Sequence, residues 1–204
     1  MKEADYIRAY NVMLDSFIGV EILSNIELLK FAFPENIPDI PFPITDLEQK
    51  KEDYLLILGI SKFEDGTPVT IRNIKNKLGS DPSIYEPCFY NQDWYENERF
   101  IDEPMIDGWY LIRKNVHEDS RAVQPEELMK RHSFPSAITC TYSFFVTWLG
   151  IDEKLWYHDF VWCKDTDHNG DRIYVGKYHD IDGMNKNGFS IHRHLSLRSC
   201  YACI

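Results

Sequence analysis

Four histidines in the last quarter of the chain have the residue type and spacing of metal ligands. His192 and His194 alternate in an apolar, strand-like segment, and side chains two residues apart on a strand share one face. Two imidazoles on one face can bind one metal ion, and Zn²⁺ takes three or four such ligands. The remaining ligands would come from the other two histidines or from a pair of thiols near the end of the chain: His158, His179, Cys200 and Cys203.

His158 and His179 are each followed by an aspartate, in two copies of the tripeptide Tyr-His-Asp. A carboxylate beside a bound metal can activate water, so Asp159 and Asp180 are candidate catalytic residues. The pattern predicts, as one alternative, a metal-dependent hydrolase or nuclease with Zn²⁺ or another divalent metal as cofactor. The interpretation that we prefer is that these histidines are structural and hydrogen-bonded.

The segment Asp165–Asp171 separates two aromatic, β-rich segments and predicts the turn of a β-hairpin. Its oxygen-bearing side chains also match the opening of a calcium-binding loop. Such a loop requires a bidentate Glu at its twelfth position, which is Gly176 in this chain. We therefore expect a hairpin turn, with Asp167 at its first position and Gly170 in the left-handed conformation.

The register of this hairpin decides which residues meet across it. With a four-residue turn, His158 faces Asp180 and Asp159 faces His179, which gives two reciprocal histidine–aspartate pairs. With a two-residue turn at positions 168 and 169, His158 faces His179 instead.

A second run of reactive side chains, His117-Glu118-Asp119-Ser120, has the residue types of a catalytic triad. Adjacent residues rarely converge on one substrate atom, so the run is weak support for catalysis. We expect it to form a loop after a strand at 109–113.

The segment 85–110 is both aromatic and acidic and is a candidate contact surface. Aromatic rings can stack on a flat ligand while carboxylates bind its polar edge, so Trp94, Tyr95 and Trp109 are candidate ligand-binding residues. The alternative interpretation is an irregular segment whose rings are packed into the core.

These side chains must be positioned by a small set of helices and strands. The stretch from Ser133 to Ile151 has no charged residue and predicts a helix over 136–149 that is apolar on nearly all sides, and hence buried. Its Ser, Thr and Pro content favours a core helix over a membrane span.

Other elements are indicated by local patterns. The apolar run 54–60 predicts a buried strand. Thr45 is expected to open a short helix with a capping box, and Thr67 is expected to be the N-cap of a helix that Gly79 closes.

Together these elements predict an α+β fold, with a mainly antiparallel C-terminal sheet packed on the buried helix. An N-terminal helical arm is expected over residues 1–33 and a proline-rich joint over 34–43. The main α+β domain is expected over 44–204, and the whole chain is expected to form one compact domain.

The charge of the chain excludes some classes of partner. It has 33 acidic and 22 basic residues among 204, and a formal net charge of −11. A basic face is the usual footprint of a nucleic-acid binder, so direct nucleic-acid binding is not expected. The charged N-terminal residues include no signal-peptide core, so a cytoplasmic protein with reduced thiols and no membrane association is expected.

We expect a small cytoplasmic protein that acts by binding a protein or a small molecule, through segment 85–110 and the hairpin. One alternative is the metal-dependent hydrolase or nuclease described above. The other is an acidic mimic of nucleic acid that inhibits a DNA-binding enzyme.

Overall fold

The fold is described from a computed structural model, over residues 3–177 and 187–193. In these ranges the chain forms helices and strands in the order α1 (Glu3–Met13), β1 (Phe17–Ile18), α2 (Val20–Ser24), α3 (Ile44–Lys50), β2 (Tyr54–Gly59), α4 (Ile71–Leu78), β3 (Gly108–Arg113), α5 (Pro125–Leu128), α6 (Ala137–Ile151), β4 (Phe160–Thr166), β5 (Arg172–Gly176) and β6 (Ser190–Arg193). The strands form two small sheets, and the predicted α+β class is confirmed.

The first sheet has the strand order β1-β2-β3. The apolar residues of β2 are buried, as its continuous apolar run predicts, and β2 pairs antiparallel with β3 from Tyr54↔Arg113 to Gly59↔Gly108. β1 pairs in parallel with β2 through Phe17↔Leu56. The N-terminal region therefore contributes a short strand as well as the predicted helix.

The second sheet, of order β4-β5-β6, is antiparallel and lies near the C-terminus, as predicted. The turn between β4 and β5 is closed by a hydrogen bond from the Gly170 amide to the Asp167 carbonyl, with Gly170 at a φ of 86°. Thr166 pairs with Arg172, but the register shifts before Trp162↔Tyr174. This irregularity of β4, which sequence alternation does not reveal, interrupts the expected register.

Helix α6 is the buried helix that its uncharged sequence predicts. The Ser136 side chain caps it by accepting a hydrogen bond from the Thr139 amide. The helix contacts β1 and β2 of the first sheet and β4 and β5 of the second, so it joins both sheets in one hydrophobic core. In the described ranges, no helix is long and apolar enough to cross a membrane.

Two predicted helix starts are wrong. Helix α3 begins after Pro43, with no side-chain cap, so Thr45 lies within the helix and does not open it. Helix α4 begins after Thr70, whose side chain accepts a hydrogen bond from the Asn73 amide. The Thr67 amide and hydroxyl instead donate to the Asp65 carboxylate, which forms a local turn before the helix. The predicted end of α4 at Gly79 is confirmed.

Replacing Thr70 with Ala should lower the free energy of unfolding by about 1 kcal/mol, because the buried first turn of α4 loses its cap. The matched change Thr45→Ala, at an exposed position without a capping bond, should cost about 0.5 kcal/mol or less. Urea denaturation of the two variants measures both values. Equal losses of stability in the two variants would mean that Thr70 is not the N-cap of α4.

Candidate functional site

The aromatic residues proposed to bind a ligand are anchored to the backbone of other segments. The Trp94 indole donates to the Ile191 carbonyl at 3.0 Å, and the Trp109 indole donates to the Pro38 carbonyl at 3.0 Å. Tyr95 is buried, and burial raises the pKa of its hydroxyl. Trp94 and Trp109 thus tie segment 85–110 and strand β3 to distant parts of the chain.

Two of the four candidate metal ligands lie in the described residues. The ring of His192, on β6, stacks on Tyr174 with a centroid distance of 5.2 Å and meets the edge of Phe160 at 5.3 Å. Burial lowers the pKa of His192, which favours the neutral ring. His158 precedes β4 and packs against Tyr157.

The remaining members of the predicted metal site, His179 and His194, and the candidate catalytic Asp180 lie outside the described residues. Asp159 is described, and its carboxylate forms a bidentate ion pair with Arg121, at 2.6 and 2.9 Å. Asp159 is therefore paired with a cation from the loop after β3. The proposal of a histidine–aspartate metal site stays a prediction.

Within 3–177 and 187–193, one group brings three potential ligand atoms within 4.8 Å of one another: Glu98, Asp167 and His168. Their oxygens already have partners. Glu98 accepts hydrogen bonds from the amide of His168 and contacts its ring Nδ1, while Asp167 accepts from two backbone amides and from Arg193. The group fixes the hairpin turn, and it contains neither His158 nor His192.

A larger feature is a cleft of about 950 Å³ lined by residues of both sheets. Strand β3 lies on one side and the end of β4 on another, and the start of α6 lies between them. Residues 103–106 complete the wall. The cleft includes the aromatic side chains Tyr54, Tyr110 and Phe134. Its volume is at the upper end of the range for small-molecule sites, about 300–1,000 Å³.

The cleft carries an excess of positive charge in a chain that is acidic overall. The lining has four permanently charged basic residues and two carboxylates, in the order Arg99, Glu103, Arg113, Arg131, Lys164 and Asp165. Exposed Arg99 pairs with Glu103 at 3.4 Å. Arg113 lies on β3, and Arg131 lies in the segment that follows α5, so two arginines come from separate parts of the fold.

Two histidines lie beside these arginines. The rings of His117 and His132 have a centroid distance of 4.8 Å and an interplanar angle of 36°. Burial lowers the pKa of His117, and the nearby charges of Arg113 and His132 lower it further, while Asp119 opposes them. His117 is therefore neutral at neutral pH and can gain a proton if a negative charge enters the cleft.

Asp165 lies at the point where the hairpin meets the start of α6. Its carboxylate accepts a hydrogen bond from the Ala137 amide at 2.6 Å, and thus occupies the positive end of the helix. Burial raises the pKa of Asp165, although this bond opposes the change. Two titratable groups with displaced pKa values, His117 and Asp165, thus line one cleft.

Sequence patterns did not identify this cleft as a site. The triad-like run at His117 is not a triad, because the Ser120 hydroxyl donates to the His117 carbonyl and Asp119 pairs with Arg131. His117 lies four residues after Arg113, and His132 directly follows Arg131. The clustering of basic side chains at two places in an acidic chain is the signal that was available.

Comparisons with protein-family models, with curated proteins and with solved structures gave no match.

Proposed function

We propose that this protein binds a small molecule in the cleft between strand β3, the end of β4 and the start of α6. The observation that supports the proposal is the convergence, in one cleft, of aromatic rings, basic side chains and two groups with displaced pKa values. A large cavity with a few convergent polar groups is the usual form of a ligand site.

The proposal also agrees with the two contact surfaces expected from the sequence. Residues 99–106 and Tyr110 belong to the aromatic, acidic segment, and residues 164–166 belong to the hairpin. Both segments contribute to the wall of the cleft. The aromatic candidates Trp94 and Trp109 do not line the cleft, and their indoles donate to the carbonyls of Ile191 and Pro38.

The proposal can be tested with a panel of small molecules. Thermal shift detects binding, and amide chemical shifts in NMR locate the binding site. The ligands that bind should shift the amides of Leu111, Ser136, Thr139 and Lys164, which line the cleft. Shifts confined to other surfaces, or a panel without any binding, would contradict the proposal.

Replacing Ser133 with Trp should weaken such binding by about tenfold or more, because the exposed Ser133 lines the cleft and a large ring would take up ligand space. The matched change Asn76→Trp places the same ring on the exposed face of α4, away from the cleft, and should leave affinity within about twofold. Titration of a ligand found in the panel measures both. Equal weakening in the two variants would show that the effect does not come from the cleft.

The metal-dependent hydrolase and the nucleic-acid mimic stay predictions from the sequence. Metal analysis of protein purified without an affinity tag tests the first, and pull-down of a DNA-binding enzyme at low and high salt tests the second.

A further inference from the structure

We infer that the ligand of the cleft carries an oxyanion, a phosphate or a carboxylate, which Arg113, Arg131, His117 and His132 bind. The inference rests on the proposed function, because it names the chemical class of the molecule that the cleft takes. It assigns one end of the cleft to the charged group and leaves the aromatic part of the wall for the rest of the molecule.

Arg113 is the first support for this assignment. Its Nε donates to the Asn115 carbonyl at 3.1 Å, which fixes the guanidinium, and the guanidinium carbon lies 5.7 Å from the centre of the Tyr54 ring. Among the described residues, no carboxylate pairs with Arg113 and neither terminal nitrogen has a hydrogen-bond partner. A fixed guanidinium with two available terminal nitrogens suits a bidentate oxyanion.

Arg131 makes only a weak ion pair with the residues that the structure describes. Among them the carboxylate of Asp119 lies 3.7 Å away, and both side chains are more than half exposed. An exposed pair at this distance is worth less than about 1 kcal/mol. Arg131 can therefore turn from Asp119 to a ligand at little cost in stability.

The histidine pair adds donors that respond to the charge of the ligand. With the rings 4.8 Å apart and Arg113 nearby, a proton on His117 adds to the positive charge already present there. An oxyanion offsets that repulsion, so its binding favours protonation of His117. By linkage, affinity should rise as the pH falls through the range in which His117 titrates.

The same charges disfavour two other occupants. A metal cation could use two imidazoles, but the neighbouring Arg113 and Arg131 would repel it. A nucleic-acid polymer would meet the acidic remainder of a chain with a net charge of −11. A small organic anion fits the local positive charge and avoids the surrounding negative charge.

The test is an NMR titration at low ionic strength with phenyl phosphate, benzoate and the neutral benzyl alcohol. Phenyl phosphate or benzoate should shift the amides of Arg113, His117 and His132 and bind at least about tenfold more tightly than benzyl alcohol. Affinity for benzoate, which stays ionised over this range, should be severalfold higher at about pH 6 than at about pH 8. Tighter binding of phenyl phosphate assigns a phosphate, and tighter binding of benzoate assigns a carboxylate.

Single substitutions identify the side chains whose charge binds the anion. Arg113→Gln and Arg131→Gln should each weaken anion binding by about tenfold, and His117→Gln should remove most of the pH dependence. Arg8→Gln, on the exposed face of α1, makes the same change in net charge and should stay within about twofold of the unchanged protein. Melting temperatures of all variants report whether the fold is kept.

The outcomes separate this inference from the proposed function. If benzyl alcohol shifts the cleft amides as strongly as the anions do, and the arginine variants bind normally, the oxyanion is excluded while ligand binding in the cleft stands. If Arg8→Gln weakens binding as much as Arg113→Gln, the attraction is nonspecific and the inference is wrong. If no probe shifts the cleft amides, the inference is wrong, while ligand binding in the cleft is decided by the wider panel.

Discussion

Replacing Phe145 with Ala is expected to lower the free energy of unfolding by about 3–5 kcal/mol. Phe145 is fully buried in α6, and its ring lies 4.8 Å from Phe89, 5.3 Å from Phe144 and 5.4 Å from Phe189. Phe89 and Phe189 form a bridge between the aromatic, acidic segment and the start of β6. Removing the ring leaves a cavity where three parts of the chain meet.

Urea denaturation measures this loss of stability. Two further variants show whether it comes from the buried ring. Phe145→Leu retains most of the apolar volume and should cost about 1–2 kcal/mol. Tyr90→Ala removes an exposed aromatic next to Phe89 in sequence and should cost less than about 1 kcal/mol. If Phe145→Ala cost no more than Tyr90→Ala, the ring cluster would not hold the second sheet to α6.

Helix α6 and strand β2 could be predicted because each is specified by its own residues. The run between Pro135 and Asp152 has no charged residue, and so no polar face suited to solvent. Its composition therefore predicts a buried helix. The apolar run of β2 and the turn at Gly170 are equally local signals. In each case the information lies within about fifteen residues.

The start of α4 shows where local patterns are ambiguous. Thr67 before Pro68 and Thr70 before Ile71 are both acceptable caps, and the Asp65 carboxylate decides between them by binding Thr67. Strand β1 shows a different limit. Two residues cannot establish a period, and Phe17 pairs with Leu56 only because the fold brings them together.

Sequence patterns did not predict the cleft, because its parts are distant in the sequence. Its wall combines residues from Tyr54 to Thr166, and the histidine pair forms across α5 and the loops that flank it. Sequence patterns find candidate ligands that lie two residues apart in one segment, such as His192 and His194. They do not find His117 and His132, whose contact depends on how β3 and the start of α6 pack.

Replacing Asp167 with Asn is expected to lower the free energy of unfolding by about 2–3 kcal/mol at neutral pH. The Asp167 side chain is fully buried, and Oδ1 accepts hydrogen bonds from the amides of Asn169 and Asp171, each at 2.8 Å. Oδ2 pairs with Arg193 of β6 at 3.1 Å. The neutral amide retains one acceptor but leaves Arg193 without its charge partner.

The pH dependence of the stability loss shows whether the Asp167 carboxylate causes it. Burial alone would raise the pKa of Asp167, but hydrogen bonds from the amides of Asp171 and Asn169 and from Arg193 outweigh burial and lower it. A carboxyl whose pKa is lower in the folded state stabilises the fold above its unfolded pKa, about 3.9, and loses that contribution as the pH falls through the folded value. The stability difference between Asp167→Asn and the unchanged protein should therefore be constant near neutrality and shrink in acid.

Asp171→Asn is the matched control, since it makes the same change in charge within the same turn. The Asp171 side chain accepts no hydrogen bond from the residues that the structure describes, so this variant should lose less than about 0.5 kcal/mol. A double-mutant cycle with Arg193→Gln should give a coupling of about 1–2 kcal/mol between Asp167 and Arg193. Equal losses in Asp167→Asn and Asp171→Asn, or a coupling near zero, would mean that the turn is held by Glu98 and His168 and not by this carboxylate.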